Sequence, residues 1–378
     1  MIFTPTRAQV DDNQGVVASK PPRSSNLELY RIICMLMIVA HHYVLSGYAA
    51  PGDPLAVNPV STNSLFLCLF GAWGKTGINC FMMITGYFMC TSRITLRKFI
   101  KLLAQIYFYH LLLYPIFLLA GYETLSVSRL VKLALPFWGF NNGFTSCFII
   151  FYLTIPFWTI LVQNMTKRQH TLLLILLLSC YTLLGSIPTF KVTFNYITWF
   201  GIIFLVASYI RLYPSPLFER RAMWGWLTLL FFVLGLASVA VLQAKLHAGF
   251  FFTSDCNKFF ALTVAVCSFL WFKNLNIKYS KVINAFGAAT FGVLLIHANS
   301  DAMRQWLWKD VINAPVHYDL PLLQLIIFSI GVVLVVFIVC NFIDQLRIAT
   351  IEKWFFNWYD KKVSAKADAL VNKILQKQ

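Results

Sequence analysis

Ten apolar runs, most of them long enough to cross a bilayer, constrain this chain more than any other feature. The first lies at about Leu27 to Tyr48, and others follow near 74–91, 98–120, 144–162, 170–187, 196–212, 223–244, 258–274, 284–300 and 321–343. A helix of ~20 residues crosses the hydrocarbon core, so 378 residues hold ten spans with short connections and no separate soluble domain. Charged residues make up only 12% of the chain, about half the roughly 25% of a soluble domain. That scarcity, with 59% hydrophobic residues, excludes a soluble globule, a disordered chain and a coiled coil. The first run is not a cleavable signal peptide, because it starts late, is long, and carries Arg31, His41 and His42. The expected fold is an all-α polytopic bundle of about ten transmembrane helices. Residues 1–26 read as a disordered cytoplasmic tail, 27–346 as the transmembrane domain, and 347–378 as a cytoplasmic basic and aromatic tail.

The net charge of +17 is read by side of the membrane, because basic residues are retained on the cytoplasmic face. With the N-terminus inside, the inner segments carry nearly three times as many Lys and Arg as the outer ones, and each inner segment has at least two. A miscount of one span would scramble that alternation, so both termini are placed in the cytoplasm. No basic stripe interleaves with aromatics, which argues against nucleic acid as a partner. The tail with Trp354, Phe355, Phe356, Trp358 and Tyr359 reads as an anchor along the inner membrane surface, in contact with lipid. Most of the nine cysteines sit in apolar runs as small hydrophobes. Without a C-x-x-C or a zinc-like Cys/His spacing, neither a disulfide framework nor a metal site is expected.

Ionisable groups inside a span are costly and are functional candidates by default. The first run holds four: Glu28, Arg31, His41 and His42. Arg31 and His42 are eleven positions apart, about three turns plus 20°, and so share a face about 16 Å apart along the axis. Glu28 lies about 40° off that face and is spaced i,i+3 to pair with Arg31. His41 points about 100° away. On geometry alone His42 is either a base near neutral pH or a packing hydrogen bond between helices. At the cytosolic start of the third run, Arg93, Arg97, Lys98 and Lys101 are either lipid-phosphate contacts or a clasp for a phosphate-rich ligand. His110, with Tyr107 and Tyr114, reads as bundle packing, and Arg304, with Trp306 and Trp308, reads as an interfacial anchor, with contact to an anionic or sugar acceptor as the alternative.

Several of these segments resemble the acyltransferase-3 family of integral-membrane acyltransferases, which modify cell-surface sugars. Asn26-Leu-Glu-Leu-Tyr-Arg31 through His41-His42 is similar to the family's opening, a basic residue, ten intervening residues, then histidine. Arg31 and His42 match that spacing, and His41 falls one short. Asn79-Cys-Phe-Met-Met-Ile-Thr85-Gly86-Tyr87 resembles the second-span motif, with Thr85 in place of serine. Arg93, Arg97 and Lys98 resemble the basic cluster that opens the third span. Thr290-Phe-Gly-Val-Leu-Leu-Ile-His297-Ala-Asn299 resembles the ninth, with Ala298 where an acidic residue is common.

The resemblance implies transfer of an acyl group, acetyl in the first instance, from cytosolic acyl-CoA to a hydroxyl of a cell-surface glycan or its lipid-linked precursor. It also implies residence in a bacterial cytoplasmic membrane, and acyl-CoA as substrate with no bound cofactor. Such chemistry needs a base or acyl carrier and donors for the oxyanion. His42, with Arg31 and Glu28, is the candidate for the first role. Asn79, Thr85, the backbone at Gly86, His297 and Asn299 are candidates for the second. Arg97, Lys98 and Arg93 would bind the donor. Succinyl transfer is an alternative within the family. A glycan or lipid transporter or flippase is the alternative outside it, but no repeated pair of Gly/Pro-broken spans supports one.

Overall fold

A computed structural model of the protein describes residues 24–48, 60–92, 94–135 and 143–364. Among these every regular element is helical, with no strand. The elements are α1 (Ser25–Tyr48), α2 (Thr62–Gly71), α3 (Gly74–Met89), α4 (Leu96–Leu119), α5 (Val127–Ala134), α6 (Phe144–Asn164), α7 (Lys167–Leu178) and α8 (Tyr196–Leu212). They continue with α9 (Arg221–Leu246), α10 (Phe259–Lys273), α11 (Lys281–Ala288), α12 (Thr290–His297), α13 (Asp301–Arg304), α14 (Ala314–His317), α15 (Leu322–Arg347) and α16 (Lys353–Lys362). Each of the ten apolar runs falls on a helix or on two helices in succession.

Seven of these helical stretches are long and apolar enough to cross a membrane, and an eighth is Lys281–His297 followed by Asp301–Val311 after a 94° bend. Helices α8 and α10 are apolar but have only 17 and 15 residues, about 26 and 23 Å of rise against a hydrocarbon core of ~30 Å. They are also walled by protein. Trp199, Phe200, Ile203 and Phe204 of α8 and Ala265 and Phe269 of α10 are fully buried. The long α6, α9 and α15 instead turn Phe157, Trp226, Leu323 and Ile327 outward, an apolar surface that lipid covers.

Helix α1 is central and packs on α2, α3, α10, α11, α12 and α15. In lipid the helices gain little from the hydrophobic effect and associate by close packing at small residues. At Gly86 a Cβ would come within 2.9 Å of the Ala207 Cβ, which fixes how closely α3 approaches α8. Helix α1 starts at Ser25, two residues before the apolar run. Ser25 and Asn26 are buried within α1, and the Asn26 amide donates to the carbonyls of Phe272 and Lys273 at 2.9 and 3.0 Å.

One buried charge network ties α4, α12 and α15 together. Asp344 is fully buried and accepts from the Tyr109 hydroxyl at 2.8 Å and from Arg347 Nε at 2.6 Å. Arg347 also donates to Glu352 at 2.8 Å, and Glu352 pairs with Lys101. Gly292 of α12 makes this possible, because any Cβ there would coincide with the Asp344 carboxyl. Gly292→Ala should therefore destabilise the protein by about 1–3 kcal/mol, read as a lowered melting temperature in detergent. Gly331→Ala, where nothing lies within 4 Å of the added carbon, should leave it unchanged. Equal melting temperatures for the two variants would contradict this packing.

Candidate active site

A cavity of about 430 Å³ opens among α1, α3, α4, the start of α6 and the end of α12. Met35, Ile38, Ile78, Phe81 and Phe291 give it an apolar part. His41, His42, His110, Lys75, Asn299 and Arg304 give it a polar one. Met35, Ile38 and His42 all come from α1, and His42 is the ionisable group that the i,i+11 spacing had singled out. His297 and Asn299 stand where the chain breaks between α12 and α13, so the apolar run 284–300 ends in a bend at the site.

The rings of His42 and His297 are joined, His42 Nδ1 to His297 Nε2, at 2.9 Å. His297 is fully buried, and its Nδ1 lies 2.6 Å from the Val293 carbonyl oxygen. A carbonyl only accepts, so His297 Nδ1 carries its hydrogen. In the neutral ring Nε2 is then an acceptor, and His42 Nδ1 must donate to it. This network leaves the lone pair of His42 on Nε2, on a ring that lines the cavity. His41 is held differently. Its Nδ1–H donates to the Gly71 carbonyl at 2.7 Å, and its ring packs against Gly74 so closely that a Cβ there would overlap it.

Arg31 and Glu28 form the expected i,i+3 ion pair, Nη1 to Oε1 at 3.3 Å. Glu28 is buried against Gly287 of α11. Neither lines the cavity, whose α1 wall begins one turn further on at Met35. Asn79 is also outside it, buried, donating to the Cys256 and Ala261 carbonyls and accepting from Trp199 Nε1 at 2.8 Å. Thr85 donates back to the Phe81 carbonyl at 2.9 Å, and Gly86 is the contact with α8 described above. Of the oxyanion candidates, Asn299 lines the cavity and His297 reaches it through its contact with His42, while Asn79, Thr85 and Gly86 do not line it. The Asn299 amide donates to Leu295 O at 2.9 Å.

The basic cluster lies elsewhere, at a second cavity of about 300 Å³ shared by Arg97, Lys101, Glu352 and Phe356. Arg97 makes a two-pronged pair with Asp360, Nε to Oδ1 and Nη2 to Oδ2, both at 2.8 Å. Its guanidinium also stands 4.7 Å from the centre of the Phe356 ring. Lys98 is exposed, and Arg93 lies outside the described residues. Leu322–Lys362 is one helical stretch of 41 residues, and its Phe356 and Tyr359 are buried while Trp354 and Trp358 stay exposed.

Three site residues have sequence signals that pointed elsewhere. His110, expected to pack the bundle, lines the main cavity and a smaller one beside it. Lys75, which no motif singled out, and Arg304, expected as an interfacial anchor, line the main cavity too. For His110 the signal was present, since an imidazole in a span is a functional candidate by default.

With this geometry in place, the comparison with known families is direct. A family model described as "Acyltransferase domain", that of the acyltransferase-3 family (Acyl_transf_3), matches residues 24–341. The chain belongs to that family and is a membrane acyltransferase. No curated protein and no solved structure matches it. All residues of the main cavity fall within the matched segment, whereas Asp344, Glu352 and Asp360 lie beyond it.

Proposed function

We propose that this membrane acyltransferase moves an acetyl group from cytosolic acyl-CoA to a hydroxyl of a cell-surface glycan or its lipid-linked precursor, in a bacterial cytoplasmic membrane. The reading is carried by the relay from Val293 through His297 to His42, which leaves Nε2 unprotonated on a ring that lines the cavity. In direct transfer the acceptor O–H gives its proton to His42 Nε2 while its oxygen forms the new C–O bond. The thioester C–S bond then breaks, and the departing CoA sulfur takes a proton back from the His42 imidazolium. Asn299, on the cavity lining, is the side chain that meets the charge developing on the carbonyl oxygen. Met35, Ile38 and Phe81 supply an apolar bed for the acyl-bearing end of the donor. Arg31, held by Glu28, stands on the His42 face toward the cytosol, and Arg97 is the group assigned to the donor phosphates.

In this reading His297 is a positioning residue. His297→Leu removes the acceptor for His42 Nδ1–H, releases the tautomer, and should cost roughly 10- to 100-fold in kcat, the scale seen when an orienting partner of a histidine is lost. His297→Gln, whose amide oxygen can still accept, should recover most of that loss. KM for both substrates should change little in either variant. Transfer of labelled acetyl from acetyl-CoA in proteoliposomes is the measurement, and wild-type turnover in His297→Leu would refute the relay.

A further inference from the structure

The polar part of the main cavity is built from cations and lacks acids. Lys75, Arg304 and three histidines line it, and among the described residues no aspartate or glutamate does. Lys75, in the first turn of α3, donates to the Tyr196 hydroxyl at 2.8 Å, a neutral partner. Arg304 pairs with Asp301 at 2.9 Å, but that carboxylate is 86% exposed, so water screens most of the attraction. Lys75 is half-buried and Arg304 is 41% exposed at the cavity, so both stay hydrated, yet with no carboxylate on the same lining they give a pocket walled by Phe81, Phe144 and Phe291 a positive field that draws an anion. Ser146 and Asn299 lie on the same lining and offer neutral hydrogen bonds beside the charges. By the charge bias of the loops, Lys75 and Arg304 both belong to segments on the outer side, away from the cytosolic donor cluster.

We infer that Lys75 and Arg304 form an anion subsite for the acceptor, which takes a sugar bearing a carboxylate or a phosphate group. This rests on the acyl-transfer reading for the word acceptor, but the binding itself does not depend on turnover.

The full-length protein in detergent can be titrated with three probes that differ only in charge and near C6: glucose, glucuronic acid and glucose 6-phosphate. At low salt the anionic sugars should bind about 10-fold or more tightly than glucose, the size of one charge-assisted hydrogen bond. Higher salt should narrow the gap. Lys75→Gln and Arg304→Gln should each reduce it to about 3-fold or less, and Lys75→Arg should keep it. The ratio of glucuronic acid to glucose 6-phosphate assigns the natural group as carboxylate or phosphate.

Equal binding of all three sugars to the wild type would overturn the subsite, as would a preference that survives both glutamine variants. A Lys75→Gln effect confined to KM for succinyl-CoA, with acetyl-CoA and the sugars unaffected, would place the anion on the acyl group and overturn the acceptor assignment. Anion-selective binding with no acyl transfer from any CoA donor would sustain the subsite while refuting the acyl-transfer reading. Transfer without anion selectivity would do the reverse.

Discussion

His42→Ala should lower acetyl transfer by about 10²- to 10⁴-fold, the contribution of a positioned general base, with normal abundance of the protein in the membrane. The loss should fall on kcat, because the ring that accepts the proton is removed while the cavity wall of Met35, Ile38 and Phe81 remains. His41→Ala is the internal control. It removes a more deeply buried neighbour whose Nδ1–H is committed to the Gly71 carbonyl, so its cost should appear as lowered thermal stability while turnover per folded molecule stays within about 10-fold of wild type. Equal losses in the two variants would mean that position within the helix, not the His297 contact, explains the requirement.

The second large effect is expected at Arg97. If its fork holds a donor phosphate, Arg97→Ala removes a charge-assisted contribution of ~1.5–3 kcal/mol and should raise KM for acetyl-CoA roughly 10- to 150-fold. Arg97→Lys keeps the charge without the paired geometry and should fall between. KM for the acceptor should move little. The ion pair with Asp360 sharpens this test. Its two side chains are 43% and 44% exposed, so water screens the pair and leaves it displaceable. On the donor-binding reading, a phosphate arriving at Arg97 would take the place of the Asp360 carboxylate. Asp360→Asn should therefore lower KM for acetyl-CoA by up to about 5-fold, opposite in sign to Arg97→Ala. A pair that serves only to hold α16 would push both variants the same way, and that outcome would reduce the cluster to a topology signal.

The parts of this architecture that were legible in sequence are those governed by a single helix. The apolar runs predicted where helices lie because each run must satisfy its own backbone in lipid. The eleven-residue spacing put Arg31 and His42 on one face, and the three-residue spacing predicted the Glu28–Arg31 pair. What the sequence did not show is which helix each face meets. The His42–His297 contact joins positions 255 apart, and Arg97–Asp360 joins positions 263 apart. Periodicity carries no information about such partners. Gly292 illustrates the same limit: its role beside Asp344 depends on an approach between α12 and α15 that neither segment encodes alone. Asn79 shows the converse. Its amide looked available for chemistry, and only the arrangement of α3, α8 and α10 reveals that Trp199 and two carbonyls use it.

The central claim is that acetyl passes from a cytosolic thioester to an acceptor through the cavity that holds His42. The most direct measurement uses proteoliposomes with labelled acetyl-CoA supplied at the face carrying Arg97 and an acceptor sugar at the other face. Label should reach the acceptor with stoichiometric release of CoA thiol in the wild type, and fall by at least about 100-fold in His42→Ala at equal protein density. Label transferred at the wild-type rate by His42→Ala, or thioester consumed without any acyl acceptor formed, would contradict the account.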